Sequence, residues 1–532
     1  MDTVAAVPAS QKTVASPRAD YDRMVPVWAK SRAVCLGERF VKTYDEILDT
    51  FTFRNLLIPF SPSMSQKQYN WYRAEAELPG ISSEFAKMIV GGLLRKRPVI
   101  TLPDSAPPES ADWIMNEFGQ DDSSMLAFMD QALWEEIQTS RAWVYVDYPR
   151  IDGADSLSRD ERLAFKPYPV LWGPEKVINW KITPESTGRM VLERVVTREL
   201  VEDYSKNEFH PEWVDTVRVH DVSGGRYRVR VYRKRDAQQT DKDNKADVTQ
   251  FDLVEEIVPL ANGEPISFIP AWPLNGSIPV QEPVLMPIIN KEIALYNKMS
   301  RRNHLLYGAA TYTPVISADM TDDAFDAIVE GGLGTWIKLP LEGKASVLET
   351  PTAALADMDR AIAAAIEEMA RLGIRMLTPE TDQSGVALHL RNAAQTAQLG
   401  SLNSRISSVM SQVVAFMINW RYDLEISSTD VKFTLSEDFN QTPLGTDWLR
   451  LATEWYESGR IPRSVWVQIL KNNDMLPPEY DDEQGQKEIA EDQDLLMAKQ
   501  EREMIYAAEL SAELAATTQG VENGKKGSTA GK

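Results

Sequence analysis

The chain has 532 residues, 43% hydrophobic and 26% charged, which is ordinary globular material sufficient for two to four domains or one elaborate multi-part subunit. Its formal net charge of −22 excludes a conventional tight nucleic-acid binder, which would be basic. The single cysteine, Cys35, excludes a disulfide framework within the chain and points to a reducing cytoplasm. No run of about 18 apolar residues predicts a membrane span, and the first twenty residues lack the basic start and apolar core of a signal peptide.

Residues 1–20 are rich in Ala, Ser and Pro and read as a disordered arm. Residues 21–60 read as helical, anchored by Trp28, Val34, Phe40 and Tyr44. Two helices are predicted around Pro79–Gly80, the second burying Ile81, Phe85, Met88, Ile89 and Leu93. That helix ends at Arg95, Lys96 and Arg97, cations that suit the negative end of a helix dipole; a DNA or neighbour-subunit contact is the other role open to them. A helix over Trp113 to Ser140 follows, then a strand at AWVYVDYP and further strands near Val170–Trp180 and Met190–Val201. TVRVHDVSGGRYRVRVYRKR is the clearest hairpin, because Gly224–Gly225 supply the positive φ of a tight turn. It places Arg226, Arg228 and Arg230 on one face and Tyr227, Val229 and Val231 on the other. The arginine face suits solvent, an acidic neighbouring subunit or DNA.

Pro265 to Gly308 organises the chain. It opens as a short apolar strand (Ile266, Phe268), passes a Pro- and Gly-rich loop and becomes one long helix. Pro283 suits a first helical turn and Pro287 is still tolerated there. Leu285, Ile289, Tyr296, Met299 and Leu306 recur at helical spacing, and Asn290, Lys291, Lys298 and Arg301 lie opposite. The helix spans about 20–25 residues, or about 30–37 Å.

Beyond it the pattern is strand, short helix, turn and strand, with Gly331, Gly332 and Gly334 marking a sharp bend. These glycines do not make a phosphate-binding loop, lacking the Gly-Lys-Ser/Thr ending. Two long helices follow. The first has a stripe of Leu355, Met358, Ile362, Ile366, Met369 and Gly373. The second has a heptad-like seam of Leu399, Leu402, Ile406, Val409, Val413, Phe416 and Trp420, which suits core packing. A strand then leads to a helix bearing Trp448, Leu451 and Trp455, and to another with Ser464 near its start. From Glu479 to Glu513 acids outnumber bases.

The strand–loop run EPVLMPIINKEIALYNKMSRRNHLLYGAATYTPVI, with the later TDQSGVALHLRNAAQTAQLGSLNSR and SGRIPRSVWVQIL segments, resembles the portal (head–tail connector) proteins of tailed bacteriophages. The likeness is to a portal-like subgroup known as a domain of unknown function, and it covers roughly residues 44–490. It implies an α+β, mainly helical portal fold assembled as a ring, usually of twelve subunits. Its parts would be a wing of antiparallel sheet and helices over 21–282, a stem helix over 283–308, and a small clip with the returning stem over 309–340. A channel-loop region over 341–358, long wing helices over 359–440, a crown-like helical region over 441–516 and a disordered tail over 517–532 complete it. Channel-facing candidates are Lys344, Glu349 and Thr350; stem-helix candidates are Lys291, Lys298 and Arg301. The resemblance implies passage of double-stranded DNA during packaging and ejection without sequence preference. The implied partners are the terminase large subunit, the major capsid and scaffolding proteins and a head–tail adaptor, with no membrane. The virion's portal vertex would be its location, after assembly in the host cytoplasm. A strongly acidic wall would let DNA slide, although solubility alone also explains the charge.

No enzyme motif emerges. The four histidines (His210, His220, His304, His389) lack zinc-ligand spacing, and no G-x-S-x-G or G-x-G-x-x-G motif occurs in a suitable setting. No cofactor is expected. The alternatives are another structural virion part, such as an adaptor or minor capsid protein, or an enzyme without a recognisable motif.

Overall fold

The computed structural model describes residues 13–42, 46–48, 51–53, 55–149, 165–185, 188–235, 251–261, 263–310, 313–317, 342–348, 353–373, 385–436 and 446–472, with scattered positions in 319–326 and 475–489. The chain divides into two compact units, Met1–Phe439 and Asn440–Lys532.

The first unit is mixed α+β. Its helical part comprises α1 (Ala19–Leu36), α2 (Glu38–Lys42), α3 (Gln66–Glu75), α4 (Ile81–Leu93), α5 (Ser110–Asn116) and α6 (Met125–Thr139). The expected helix over 21–60 stops at Lys42; the short antiparallel strands β1 (Glu46–Leu48) and β2 (Phe51–Phe53) follow. The expected arm also orders earlier than residue 20. Arg18 N–H bonds the Ile178 carbonyl (3.0 Å), and its guanidinium bonds that of Trp180 (2.9 Å). On α4, Phe85, Ile89 and Leu93 are buried as expected, but Met88 is exposed and Ala86 and Val90 are buried instead. The single helix expected over Trp113 to Ser140 is broken. Phe118 and Gly119 both donate to the Ser123 carbonyl, Asp122 takes a left-handed φ of 57°, and Ser124 caps α6 by accepting from Ala127 N–H.

Two antiparallel sheets stand beside these helices. One is a three-stranded sheet in the order β13 (Ala271–Pro273), β4 (Trp143–Asp147), β5 (Tyr168–Trp172). The other is a five-stranded meander of β6 (Val177–Pro184), β7 (Met190–Asp203), β8 (Glu212–Ser223), β9 (Arg226–Lys234) and β10 (Phe251–Ile257). The Gly224–Gly225 turn closes β8 onto β9 with φ of 59° and 74°. Tyr227, Val229 and Val231 are buried. Arg228 and Arg230 both pair with Asp221 in their own sheet, and Arg228 also reaches Glu256 (3.1 Å), so two of the three hairpin arginines are satisfied within the chain. Two-residue strands β11 (Leu260–Ala261) and β12 (Glu264–Pro265) replace the strand expected at Ile266–Phe268. β3 (Val99–Thr101) pairs with β16 (Lys432–Thr434).

Buried polar groups knit the layers. Arg32 of α1 bridges Glu135 and Glu175. Arg141 lies over the rings of Trp143 (4.8 Å) and Trp180 (4.4 Å) and donates to the Ile278 carbonyl (2.6 Å). Glu136 accepts from Ala142 N–H (3.0 Å); burial pushes its carboxyl up to about 8.

Three long helices follow: α7 (Met286–Ala310), α8 (Ala353–Gly373) and α9 (Gly385–Tyr422). From Leu402 onward α9 buries Ile406, Val409, Met410, Val413, Val414, Met417 and Ile418. That is wider than the expected heptad seam, because α9 passes β16, β4, β13 and α4. Leu399 lies outside the described side chains.

In the second unit, α10 (Thr446–Glu457) packs on α11 (Arg463–Asn472), with Tyr456 stacked on Trp466 at 4.8 Å. The side chain of Trp448 is outside the described side chains, and almost all of the acidic run from Glu479 to Glu513 lies outside the described residues.

Candidate functional site: the α7–α8 hairpin

Helix α7 starts three residues later than expected, because Pro283 sits in a turn whose carbonyl accepts from Met286 N–H (3.0 Å); Pro287 becomes the second helical residue. Its inner half is buried along Ile289, Glu292, Leu295, Tyr296 and Ser300. Two polar side chains fix this half. The buried Glu292 carboxylate accepts the backbone N–H of Ile81 (2.8 Å) and Ser82 (2.7 Å). It thereby caps α4, whose own cap position is the side-chain-free Gly80 at φ +75°. Asn297 accepts from Ile58 N–H (2.8 Å) and donates to the Leu56 carbonyl (3.2 Å). One turn beyond that half, His304 packs between Phe60 (4.8 Å) and Tyr72 (5.4 Å).

The chain then leaves along β14 (Thr313–Ser317) and returns along β15 (Lys344–Leu348) into α8. Lys291 pairs with Glu368 (2.5 Å), Arg302 with Asp359 (2.8 Å) and Thr313 with Leu348 across the ribbon. One antiparallel register therefore runs through helices and ribbon alike. The outward faces are exposed: Leu306 and Tyr307 on α7, and Ala361, Ala363, Ala364 and Ile366 on α8, the last at 45%. Ile366 and Leu306 belong to the apolar stripes read from the sequence. Only the α7-facing side of α8 is covered, and of its expected stripe Met369 alone is fully buried among the described side chains.

The proposed site residues do not converge. Lys291 is tied to Glu368 at the root, Lys298 is exposed, and Arg301 lies beside Tyr72, where its charge opposes the upward push of burial on that phenol. Lys344 is exposed at the far end of the ribbon, opposite Ser317, in a strand rather than a loop. About 28 Å of helix separates the level of Lys291 from the start of the ribbon. Glu349 and Thr350, like Gly331, Gly332 and Gly334, lie outside the described residues. Glu292 and Asn297 escaped the sequence reading. Their signal was present: Leu285, Ile289, Glu292 and Tyr296 form a helical stripe, and a carboxylate on such a stripe demands a buried donor.

Among the described residues no group of three His, Cys, Asp or Glu could hold a metal ion, and no helix is long and apolar enough to cross a membrane.

These features define a mixed α+β chain with a projecting, partly apolar helical hairpin. Residues 285–421, from the start of α7 almost to the end of α9, match a family model described as a domain of unknown function (DUF4055). No curated protein matches the chain. One similar solved structure is described as the neck of an empty GTA particle computed with C6 symmetry. It is 11% identical, with 72% of this chain and 87% of that one covered, and the TM-score is 0.32, at which the likeness carries no functional argument.

Proposed function

We propose that this chain is a portal subunit, which assembles into a ring at one vertex of a phage or phage-like capsid. The observation that carries this reading is the α7–α8 hairpin. Its root is locked into the core through Glu292 and Asn297, while its outer faces present Leu306, Tyr307 and Ile366 to solvent. Neighbouring hairpins standing side by side would cover those faces and line a bore. The family match spans this hairpin and α9 and includes most of the EPVLMPIINKEIALYNKMSRRNHLLYGAATYTPVI run on which the portal resemblance rests. The role is structural rather than enzymatic. DNA passes through during packaging and ejection, a separate terminase supplies the energy, and capsid, scaffolding and adaptor proteins dock around the ring.

Electron microscopy of the purified chain tests this. Axial views with about twelve subunits around a hole are expected. A monomer or dimer at micromolar concentration would sink the proposal, and a closed assembly without a through-channel would favour another structural virion part.

A further inference from the structure

The β7–β8 hairpin ends in a tip whose aromatic residues are turned to solvent: Phe209 is 79% exposed, Trp213 61% and Tyr204 50%. The tip is built rather than loose. Asp203 accepts from Ser205 N–H (2.9 Å), Asn207 accepts from Phe209 N–H (2.9 Å), and Lys206 pairs with Glu212 (2.6 Å). It is acidic, with Glu202, Asp203, Glu208 and Glu212 against Lys206. Exposed, preorganised aromatics of this kind are typical anchors of protein interfaces.

The same chain carries a matching receptor. A cavity of about 460 Å³ opens between one face of the five-stranded sheet and the β4–β5 pair, walled by Tyr145, Tyr148, Tyr168, Trp172 and Trp420. Lys176, Arg218 and Arg233 line it, with Asp147 and Glu255. Lys176 and Arg218 also share Glu199, whereas Arg233 is exposed at the end of β9. On the wall, buried His220 has its Nδ1 2.7 Å from the Tyr227 hydroxyl, which lies 3.2 Å from that of Tyr145. If Tyr145 donates to Tyr227 and Tyr227 to Nδ1, both hydroxyl protons are used. Nε2 then carries a proton with no partner among the described residues.

A tip cannot serve its own cavity. β7 and β8 pair without a break out to Asp203↔Glu212, so the tip stands beyond the end of the sheet. The nearest cavity residue, Val201, lies about 7 Å back along β7 and Thr216 about 13 Å back along β8, and Phe209 is 79% exposed in its own chain, so it does not seat there. We propose that the aromatic tip of one copy seats in the cavity of a neighbouring copy, Phe209 entering among the rings and the acidic flank meeting Arg218 and Arg233. Knob and receptor are different surfaces, so the contact is heterologous and propagates head to tail until a ring closes. This rests on the ring reading and adds a specific contact to it.

The full-length chain carrying Phe209→p-benzoylphenylalanine, prepared as a mixture of isotopically light and heavy copies, is irradiated and its cross-linked peptides mapped. Light–heavy links from position 209 to the strands bearing Arg218, Val229 and Arg233 are expected. Separately, the paired change Phe209→Ala and Trp213→Ala should raise the concentration needed for assembly at least tenfold in mass photometry, with unchanged circular dichroism. Mixing that variant with the cavity-filling Val201→Trp should enrich the heterodimer over either homodimer, since one tip–cavity contact can form only between the two variants. Rings that assemble with links elsewhere and an unshifted assembly concentration would overturn the contact while leaving the ring intact. A wild-type chain that forms no ring would overturn both.

Discussion

Glu136 and His220 make opposite demands on pH. Burial raises the Glu136 carboxyl to about 8, far above an unfolded carboxylate, so its contribution is complete below the unfolded value of about 4.5 and is lost as pH rises through 8. Glu136→Gln keeps an acceptor for Ala142 N–H, and its melting temperature should stay flatter than the wild type's between pH 6 and 9. Parallel curves would show that Glu136 does not titrate there. Burial holds His220 down to about 3, with Arg218 and Lys176 adding to the effect. Its contribution is complete above the unfolded value of about 6.5 and fades as pH falls toward 3; His220→Gln should flatten that acid limb in the same scan. At the root of α7, Glu292→Ala would strand two buried N–H donors and should cost about 3 kcal/mol in urea unfolding, with Glu292→Gln costing less than half as much. Equal losses for the two variants would assign the effect to packing instead of capping.

The elements were legible where one physical rule dominates. Gly224–Gly225 dictated the β8–β9 turn, and the period of Leu285, Ile289 and Tyr296 dictated α7. Boundaries failed where a side chain intervened: the Ser124 cap and the turn at Asp122 split a helix that apolar periodicity had joined. Ile366 lies on the apolar stripe yet is exposed, because periodicity reports which face is apolar and not what covers it. The candidate site was half legible for a similar reason. The hairpin's helices follow from the sequence, but the pairing of Lys291 with Glu368 joins residues that no local pattern relates. Those cross-hairpin pairs are exposed, so a double-mutant cycle on Arg302 and Asp359 should return a coupling of only about 0.2–1 kcal/mol. A value several times larger would mean that neighbouring copies bury the pair.

For the whole molecule, a net charge of −22 predicts that duplex DNA meets little attraction from the chain. Fluorescence anisotropy at physiological salt should show no binding to a short duplex up to about 100 μM protein; binding in the roughly 10⁻⁴–10⁻⁶ M range of ordinary non-specific DNA binders would oppose the proposed sliding channel. The capping of α4 by Glu292 has a mechanical meaning as well. A sideways load on the outer end of α7 acts on a lever whose fulcrum is the band of Glu292 and Asn297. The torque is delivered to the first turn of α4 and to the segment at Leu56–Ile58. Tilting of the hairpin is thus geared to the helical layer through a few hydrogen bonds, and a strain imposed at one end of the lever is felt at the other without any chemical step.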